Sequence, residues 1–173
     1  VALPEDHEDD DAGFEHQDQA ALPLLEGEGK HARLILGTAW GERAPVRTHS
    51  AMFYVDVALD PGSAMPLPDE HEDRGVYVVD GSVTVAGHVY SAGHMMVFRP
   101  GDRISLRAGD LGARLILLGG ETLNGPRYIW WNFVASSRER IEQAKADWRL
   151  HGAADGRFHL PPGDTGEFIP LPE

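Results

Sequence analysis

The chain is a series of short apolar runs separated by turn residues. Met52–Leu59 is rich in aromatic and β-branched residues, and its alternate positions predict one buried strand face, formed by Phe53, Val55, Val57 and Leu59. Further short strands are predicted at 33–37, 75–79, 82–85, 88–90, 95–98, 104–106 and 113–118. Short strands at this regular spacing indicate an all-β sandwich or barrel.

Turn residues connect these predicted strands. Asp60-Pro61-Gly62-Ser63 and Arg99-Pro100-Gly101-Asp102 have turn composition, because proline presets φ and glycine permits positive φ. Asp80-Gly81 predicts a tight hairpin turn, and Ala86-Gly87 predicts another one before His88. Gly119-Gly120-Glu121-Thr122 is interpreted as a loop, since no helix follows closely enough to form a phosphate cradle.

One helix is predicted near the C-terminus, from about Ser137 to Trp148. Ser136 and Glu139 have the spacing of a capping box. The helix then shows one apolar stripe and is expected to end near His151-Gly152; the stripe consists of Ile141, Ala144 and Trp148. The proline-rich tail after Leu160 is expected to run extended over the surface.

The segment Gly125–Val134 precedes this helix and has four aromatic residues in six positions. A run that is apolar on both faces predicts burial on both faces, which favours a core interpretation. The alternative is an interface with a second domain, formed by Trp130, Trp131 and Phe133.

The N-terminal segment of the chain is strongly acidic. The formal net charge of the 173 residues is −13, and residues 1–28 contain ten acidic residues and no lysine or arginine. Such acidity argues against direct nucleic-acid binding. The run Glu8–Asp11 could hold a hard cation, but it lacks the spacing of a calcium loop, so a solvated loop is expected.

Composition excludes several other classes. The chain has no cysteine, so disulfides, zinc–thiolate sites and cysteine nucleophiles are excluded. It contains no apolar stretch of about 20 residues, so no membrane span is expected and a cytoplasmic location is predicted. The opening Val1-Ala2-Leu3-Pro4 suggests that the chain is a fragment or a processed piece of a longer protein.

Candidate metal chemistry depends on the spacing around the glycine turns. A cupin metal site takes His-x-His, a following Glu, and a later His after a Pro-x-Gly segment. The turn frame is present, at Gly62, Gly81, Gly93, Pro100 and Gly101. Counting back from Gly81, however, the Glu position holds Arg74, and the two His positions hold Pro68 and Glu70.

An arginine in a ligand position places a fixed positive charge where the cation would lie. After Asp102 the next histidine is His151. We therefore expect no metal ligand, catalytic residue or cofactor-binding residue in this chain.

The remaining polar candidates have ordinary interpretations. His71 lies among four acidic residues and is expected to be exposed. His88 and His94 could approach each other across a hairpin, but two histidines leave a metal under-coordinated. Glu72 and Arg74 are two positions apart and could pair on one strand face, where a partly exposed ion pair contributes about 0–1 kcal/mol.

Several segments together resemble the C-terminal region of the pirin family. The resemblance covers nearly the whole chain in the right order and rests on 53–57, 74–81, 117–121, 125–134, 136–145, 162–164 and 167–172. It implies a cupin-type double-stranded β-helix, or jelly-roll barrel, with one C-terminal helix. The implied division is an acidic inter-domain segment at 1–28, the barrel at 29–135, and a helix with an extended tail packing on the barrel at 136–173.

Pirins have two cupin barrels, and the resemblance implies that this chain is the C-terminal, metal-free half. The N-terminal half would hold iron through three histidines and a glutamate, and some members are quercetin 2,3-dioxygenases. Others are redox-sensitive regulators that act through protein partners, and this alternative stays open. The chain alone is expected to be inactive, and to associate with the N-terminal half or with itself.

Overall fold

The computed structural model describes residues 2–11, 13–150, 157–158, 163 and 169–172. The chain forms two compact units. The larger comprises residues 11–122, and the smaller combines residues 1–10 with 123–173.

The larger unit is a β-sheet structure. Its described residues form one nine-stranded sheet, made of β1 (Leu24–Gly27), β2 (Lys30–Ala39), β3 (Glu42–Arg43), β4 (Met52–Leu59), β5 (Ala64–Pro66), β6 (Asp73–Val85), β7 (His88–Ser91), β8 (Met95–Phe98) and β9 (Ser105–Gly120). The strand order is β1-β2-β4-β9-β6-β7, with β3 on β2, β5 on β9 and β8 on β6. Every pairing is antiparallel, including those between strands that are far apart in sequence, such as β4 and β9.

The core of this unit follows the predicted alternation. In β4 the side chains of Phe53, Val55, Val57 and Leu59 are buried, while those between them are more exposed. Equivalent alternate positions of β2, β6 and β9 complete the core, including Leu34, Val76, Val78, Leu115 and Leu117. The strand at Met52–Leu59 is thereby confirmed, with the turns at 60–63 and 99–102 after the strands that they end.

Residues 75–85 do not form the predicted hairpin. Asp80-Gly81 is no turn; instead β6 continues through it, and its register against β9 shifts between Val78 and Asp80 and again between Gly81 and Val83. Gly81 has φ +70°, and a Cβ there would lie 2.3 Å from the carbonyl oxygen of Gly112. The glycine therefore permits a bulge that bends a long strand, where sequence reasoning placed a reversal.

The two short strands predicted at 104–106 and 113–118 are likewise one element, β9, which extends through Gly119 and Gly120. Gly112 provides a positive φ of +81° within it. The predicted Ala86-Gly87 turn is confirmed, since Val85 pairs with His88 across it.

The smaller unit combines a hairpin and a helix. β10 (Tyr128–Trp130) pairs with β11 (Phe133–Ala135), and α1 spans Arg138–Arg149. The apolar stripe of α1 packs against this hairpin through Ile141, Ala144 and Trp148. The prediction of burial on both faces of 125–134 is wrong: the hairpin has one covered face, and Ile129 is 74% exposed on the other.

The cap of α1 differs from the predicted one by one residue. Ser137 is the N-cap, and its hydroxyl accepts a hydrogen bond from the Arg140 backbone N–H at 3.2 Å. Ser136 instead donates its backbone N–H and its hydroxyl to the Glu8 carboxylate, at 2.7 and 2.6 Å. Ser136 therefore binds Glu8, which is remote in sequence, and Ser137 caps the helix in its place.

Within the acidic run at the N-terminus, Asp9, Asp10 and Asp11 are exposed as expected of a solvated loop, whereas Glu8 is not. The Glu8 side chain is only 7% exposed and lies 3.0 Å from Arg140 and 3.9 Å from Arg127. Asp9 pairs with Arg140 and Arg157, and the Arg140 hydrogen bond lowers the pKa of Asp9 below its ordinary 3.8. We call Glu8, Asp9, Ser136 and Arg140 the N-terminal clasp.

The two compact units meet in sequence at 10/11 and 122/123, so residues 1–10 and the 128–135 hairpin belong with α1. The predicted divisions at 28/29 and 135/136 stay predictions. The predicted packing of helix and tail on the barrel stays a prediction. Residues 151–156, 159–162 and 164–168, which include the predicted helix end and most of the tail, lie outside the described residues.

Candidate functional site

Arg74 lies inside the larger unit, at the position where the sequence pattern would place a glutamate ligand. It is 2% exposed. Its guanidinium donates to three backbone carbonyls, those of Pro68 at 3.3 Å, Arg99 at 3.2 Å and Asp102 at 2.7 Å. The side chain thus connects the segment before β6 with the turn after β8.

The other two ligand positions also lack a free donor atom. Pro68 is fully buried, and its side chain offers no ligand atom. Glu70 is exposed, and its carboxylate accepts the backbone N–H of Trp40 at 3.0 Å. The structure therefore brings Pro68 and Arg74 together through one hydrogen bond, while Glu70 contacts a different strand end.

These three residues do not fit a metal ion. A divalent cation in such a barrel needs imidazole or carboxylate ligands that converge. Here the buried position is already occupied by a permanent cation, and each acceptor it contacts is a neutral carbonyl.

The predicted pair between Glu72 and Arg74 is not formed. Glu72 is exposed and accepts from the Thr122 hydroxyl at 3.5 Å, whereas Arg74 turns inward toward carbonyls. His71 is also not exposed as expected: its ring stacks on Phe53 at 5.8 Å between centroids, and its Nε2 is buried.

His88 and His94 are not brought together. His88 pairs with Val85, whereas the His94 carbonyl accepts the N–H of Val78. Val78 and Val85 are seven positions apart on β6, which corresponds to roughly 20 Å along a strand.

The proposed interface aromatics form a cluster in the smaller unit. Phe133 is 9% exposed and contacts Trp130, Trp131, Trp148 and Phe158, with ring centroids 5.6–6.1 Å apart. Trp130 and Trp131 are half-buried. The Lys145 ammonium lies 4.2 Å from the Trp130 ring centroid, which is a favourable cation–π distance. The aromatics thus bury much of their surface against one another, and their role as an interface stays a prediction.

A different apolar surface lies on the outward face of the larger unit. Pairing places Tyr77 beside Ile116 and Met95, and places Leu118 beside Tyr54. The exposed members are Tyr54 at 37%, Tyr77 at 40%, Val79 at 40%, Met95 at 48% and Val97 at 78%. We call this four-strand surface the outer apolar face. The sequence pattern gave no sign of it, because its members come from four strands.

The larger unit also contains a cleft of about 420 Å³. Its floor includes the buried side chains of Ala32 and Met65, and Trp40 forms part of its wall. Glu26, Glu28 and Lys30 from the β1–β2 turn line its border. Pro68 and Arg74 are not among its lining residues, so it is separate from the ligand positions.

Comparison with known proteins identifies a family. Residues 54–154 match the model of the pirin C-terminal cupin domain. A pirin-like protein of Caulobacter vibrioides is 46% identical over the whole chain, which covers 58% of that relative. Human pirin is 28% identical over 74% of the chain, which covers 46% of it.

A solved structure agrees with these matches. A quercetin 2,3-dioxygenase from Acinetobacter baumannii superposes with a TM-score of 0.85 at 28% identity, over all of this chain and 56% of that one. The cupin fold predicted from the resemblance is thereby confirmed. The chain spans about half the length of the curated relatives it matches. Among the described residues, no helix is both long and apolar enough to cross a membrane.

Proposed function

Because this chain belongs to the pirin family, we propose that it serves as the metal-free C-terminal barrel of a two-barrel protein. Its role is structural and interactive. It supports an N-terminal cupin that holds iron and could carry quercetin 2,3-dioxygenase activity. A cytoplasmic location is part of the proposal, since a chain without cysteine has no need of an oxidising compartment.

The observation that carries the metal-free role is the Arg74 guanidinium. It fills the buried ligand position with a fixed charge, and its contacts with three carbonyls replace the cross-link that a metal would supply. Hydrogen bonds from a charged donor contribute about 1.5–3 kcal/mol each. The barrel end is therefore stabilised without an ion.

The interactive role is supported by the outer apolar face. Monomeric proteins rarely leave a contiguous apolar surface of this kind uncovered. The occupant we propose is the other half of the protein, because the matched relatives extend well beyond this chain. Self-association is disfavoured by the net charge of −13, since two copies would repel each other.

Metal content and oxygen uptake test the proposal. This chain and a longer parent that includes the preceding half are produced in iron-supplemented medium, and bound metal is measured by mass spectrometry. We expect near-stoichiometric iron in the parent only, and quercetin-dependent oxygen uptake from the parent only. Near-stoichiometric iron in the 173-residue chain would overturn the metal-free role.

The same measurement separates the regulatory alternative from the enzymatic one. A parent that holds iron but neither consumes oxygen nor cleaves quercetin would favour a redox-sensitive regulator that acts through protein partners. The metal-free role of this chain is common to both.

A further inference from the structure

The chain has two asparagines, and one of them, Asn124, is followed by a glycine in the exposed bend before β10. Asparagine is among the thermolabile residues of proteins. Its side chain can reach the next backbone nitrogen, and glycine hinders that approach least because it has no Cβ. We propose that Asn124 is a site of spontaneous conversion to isoaspartate, and that the Arg127 guanidinium promotes this conversion.

The conversion is a rearrangement of the Asn124–Gly125 peptide. The Gly125 nitrogen attacks the side-chain amide carbon of Asn124 and forms a cyclic imide. The C–N bond of the side-chain amide breaks, and ammonia leaves with the proton of the Gly125 nitrogen. Water then opens the ring at one of its two carbonyls. Opening at the side-chain carbonyl gives aspartate, whereas opening at the main-chain carbonyl gives isoaspartate and turns that carbonyl into a free carboxylate.

The Gly125 N–H is available for this attack. Asn124 and Gly125 are both exposed, and no acceptor contacts the Gly125 N–H among the residues that the structure describes. Gly125 has φ +71°, and nothing lies within 4 Å of the position that a Cβ would take there. The bend is therefore uncrowded at the attacking nitrogen.

Arg127 contacts the main-chain carbonyl of Asn124. Its Nη1 donates to this oxygen at 2.8 Å and to the Pro126 oxygen at 3.1 Å. Its Nε and Nη2 donate to the Leu3 carbonyl at 3.2 and 2.9 Å, and the side chain is only 11% exposed. The guanidinium is thus fixed by contacts that lie outside the bend.

A fixed cation on this carbonyl assists both steps. It withdraws electron density from the Asn124–Gly125 peptide, which favours loss of the Gly125 proton and so makes the nitrogen nucleophilic. It also stabilises the negative charge that develops on the same oxygen when water attacks the main-chain carbonyl. Opening at this carbonyl leaves a carboxylate beside the guanidinium, which is a favourable pair. Isoaspartate is therefore the favoured product.

Two related positions serve as internal comparisons, because their surroundings differ. Asn132 is followed by Phe133, whose bulky ring packs against Trp130 and Trp148. Asp80-Gly81 has a glycine at the second position, but both residues are paired with β9 inside β6. We expect neither position to react on the time scale of Asn124.

The chain is tested by incubation at neutral pH, followed by digestion and fragment-ion mass spectrometry. This measures deamidation at each asparagine and the isoaspartate share at position 124. A synthetic peptide of residues 119–129 gives the rate without the folded contacts. We expect Asn124 to react at least as fast in the folded chain as in the peptide, and with a larger isoaspartate share.

A variant separates the effect of Arg127 from that of the bend. Arg127→Met should slow the reaction of Asn124 about five-fold, which corresponds to about 1 kcal/mol in the barrier. It should also lower the isoaspartate share. Arg149→Met is the matched control, because it removes an exposed charge on α1, and it should change neither quantity.

Circular dichroism checks that both variants are folded, and if Arg127→Met is not, the comparison of chain and peptide decides by itself. The proposal is overturned if Asn124 reacts more slowly in the folded chain than in the peptide. It is also overturned if a folded Arg127→Met variant keeps the original rate and product ratio. These readouts need neither a metal nor the preceding half, so the proposed function is tested separately.

Discussion

Arg74 is a buried cation without a carboxylate partner among the described residues. Its charge is balanced only by the dipoles of three carbonyls, and its Nε is buried without a hydrogen-bond partner. Such a group is retained only where its hydrogen bonds offset the loss of hydration. The residue therefore has a large effect on the stability of the barrel end, whichever chemistry the parent performs.

Replacing Arg74 tests this directly. Arg74→Met keeps much of the volume but leaves three carbonyls without their donor, so we expect a loss of about 2–4 kcal/mol in the free energy of unfolding. Arg99→Met is the matched control, since the Arg99 side chain is exposed and only its carbonyl takes part. Urea unfolding followed by circular dichroism measures both. Equal stability of the two variants would mean that the Arg74 hydrogen bonds to Pro68 and to the 99–102 turn do not stabilise the barrel.

The contribution of each carboxylate in the N-terminal clasp to stability depends on how deeply that carboxylate is buried. Glu8 is 7% exposed, and its carboxylate satisfies the backbone N–H and hydroxyl of Ser136 as well as Arg140. Asp9 shares Arg140 but is 72% exposed. Solvent screens the second pair far more than the first.

We expect Glu8→Gln to destabilise the smaller unit by about 2 kcal/mol, because Arg140 loses a buried partner. Asp9→Asn should destabilise this unit far less than Glu8→Gln, because solvent screens the exposed Asp9 pair. Tryptophan fluorescence during urea unfolding reports on this unit through Trp130, Trp131 and Trp148. A larger effect of Asp9→Asn would show that burial is not what makes the clasp strong.

The clasp also predicts a direction of pH dependence. The Arg140 hydrogen bond lowers the folded-state pKa of Asp9, so its contribution to stability is fully present above the ordinary value of 3.8. It is lost as the pH falls through the lowered folded-state value. We therefore expect the difference in unfolding free energy between the unsubstituted chain and Asp9→Asn to be constant near neutral pH and to shrink below about pH 4. A difference that grows on acidification would contradict this assignment.

At the scale of the secondary-structure elements, the bulge in β6 depends on the backbone conformation of a single residue, Gly81. Gly81 needs a positive φ, and any Cβ would meet the Gly112 carbonyl at 2.3 Å. We expect Gly81→Ala to destabilise the larger unit by more than about 2 kcal/mol. Gly87→Ala is the control, because Gly87 also has a positive φ of +82° but nothing lies within 4 Å of its Cβ position. Thermal unfolding should place the midpoint of Gly81→Ala clearly below that of Gly87→Ala, and equal midpoints would contradict a crowded bulge.

At the scale of the whole molecule, the proposed N-terminal half would cover one surface of this chain. The outer apolar face and the hairpin of the smaller unit each expose a large apolar side chain, Val97 at 78% and Ile129 at 74%. The outer apolar face spans four strands, whereas the hairpin aromatics already contact one another. We therefore expect the preceding half to cover Val97.

The proposed N-terminal half and this chain can be produced separately and mixed. Val97→Asp should weaken their association at least ten-fold, or about 1.4 kcal/mol, because a charge would be buried in an apolar contact. Ile129→Asp should leave it unchanged. Sedimentation velocity or calorimetry measures the affinities. If Ile129→Asp is the disruptive variant, the aromatic hairpin is the interface, which is the alternative that the sequence left open.

The sequence by itself determined the local strand patterns, the fold class and the identity of the residues at the three ligand positions. Alternation in Met52–Leu59, the turns at 60–63 and 99–102, and the apolar stripe of α1 are local patterns, so they could be recognised without a structure. The identity of Pro68, Glu70 and Arg74 was also plain from spacing. The contacts that these residues make could not be predicted from spacing.

Only the tertiary structure decided the features that depend on distant partners. Asp80-Gly81 has the same local composition as a hairpin turn, and its pairing with β9 makes it a bulge instead. Ser136 and Ser137 are equally good caps by sequence, and Glu8 decides between them. Glu8 and Asp9 contact Ser136 and Arg140 in the N-terminal clasp, and residues of four separate strands form the outer apolar face. Both features depend on residues that are far apart along the chain.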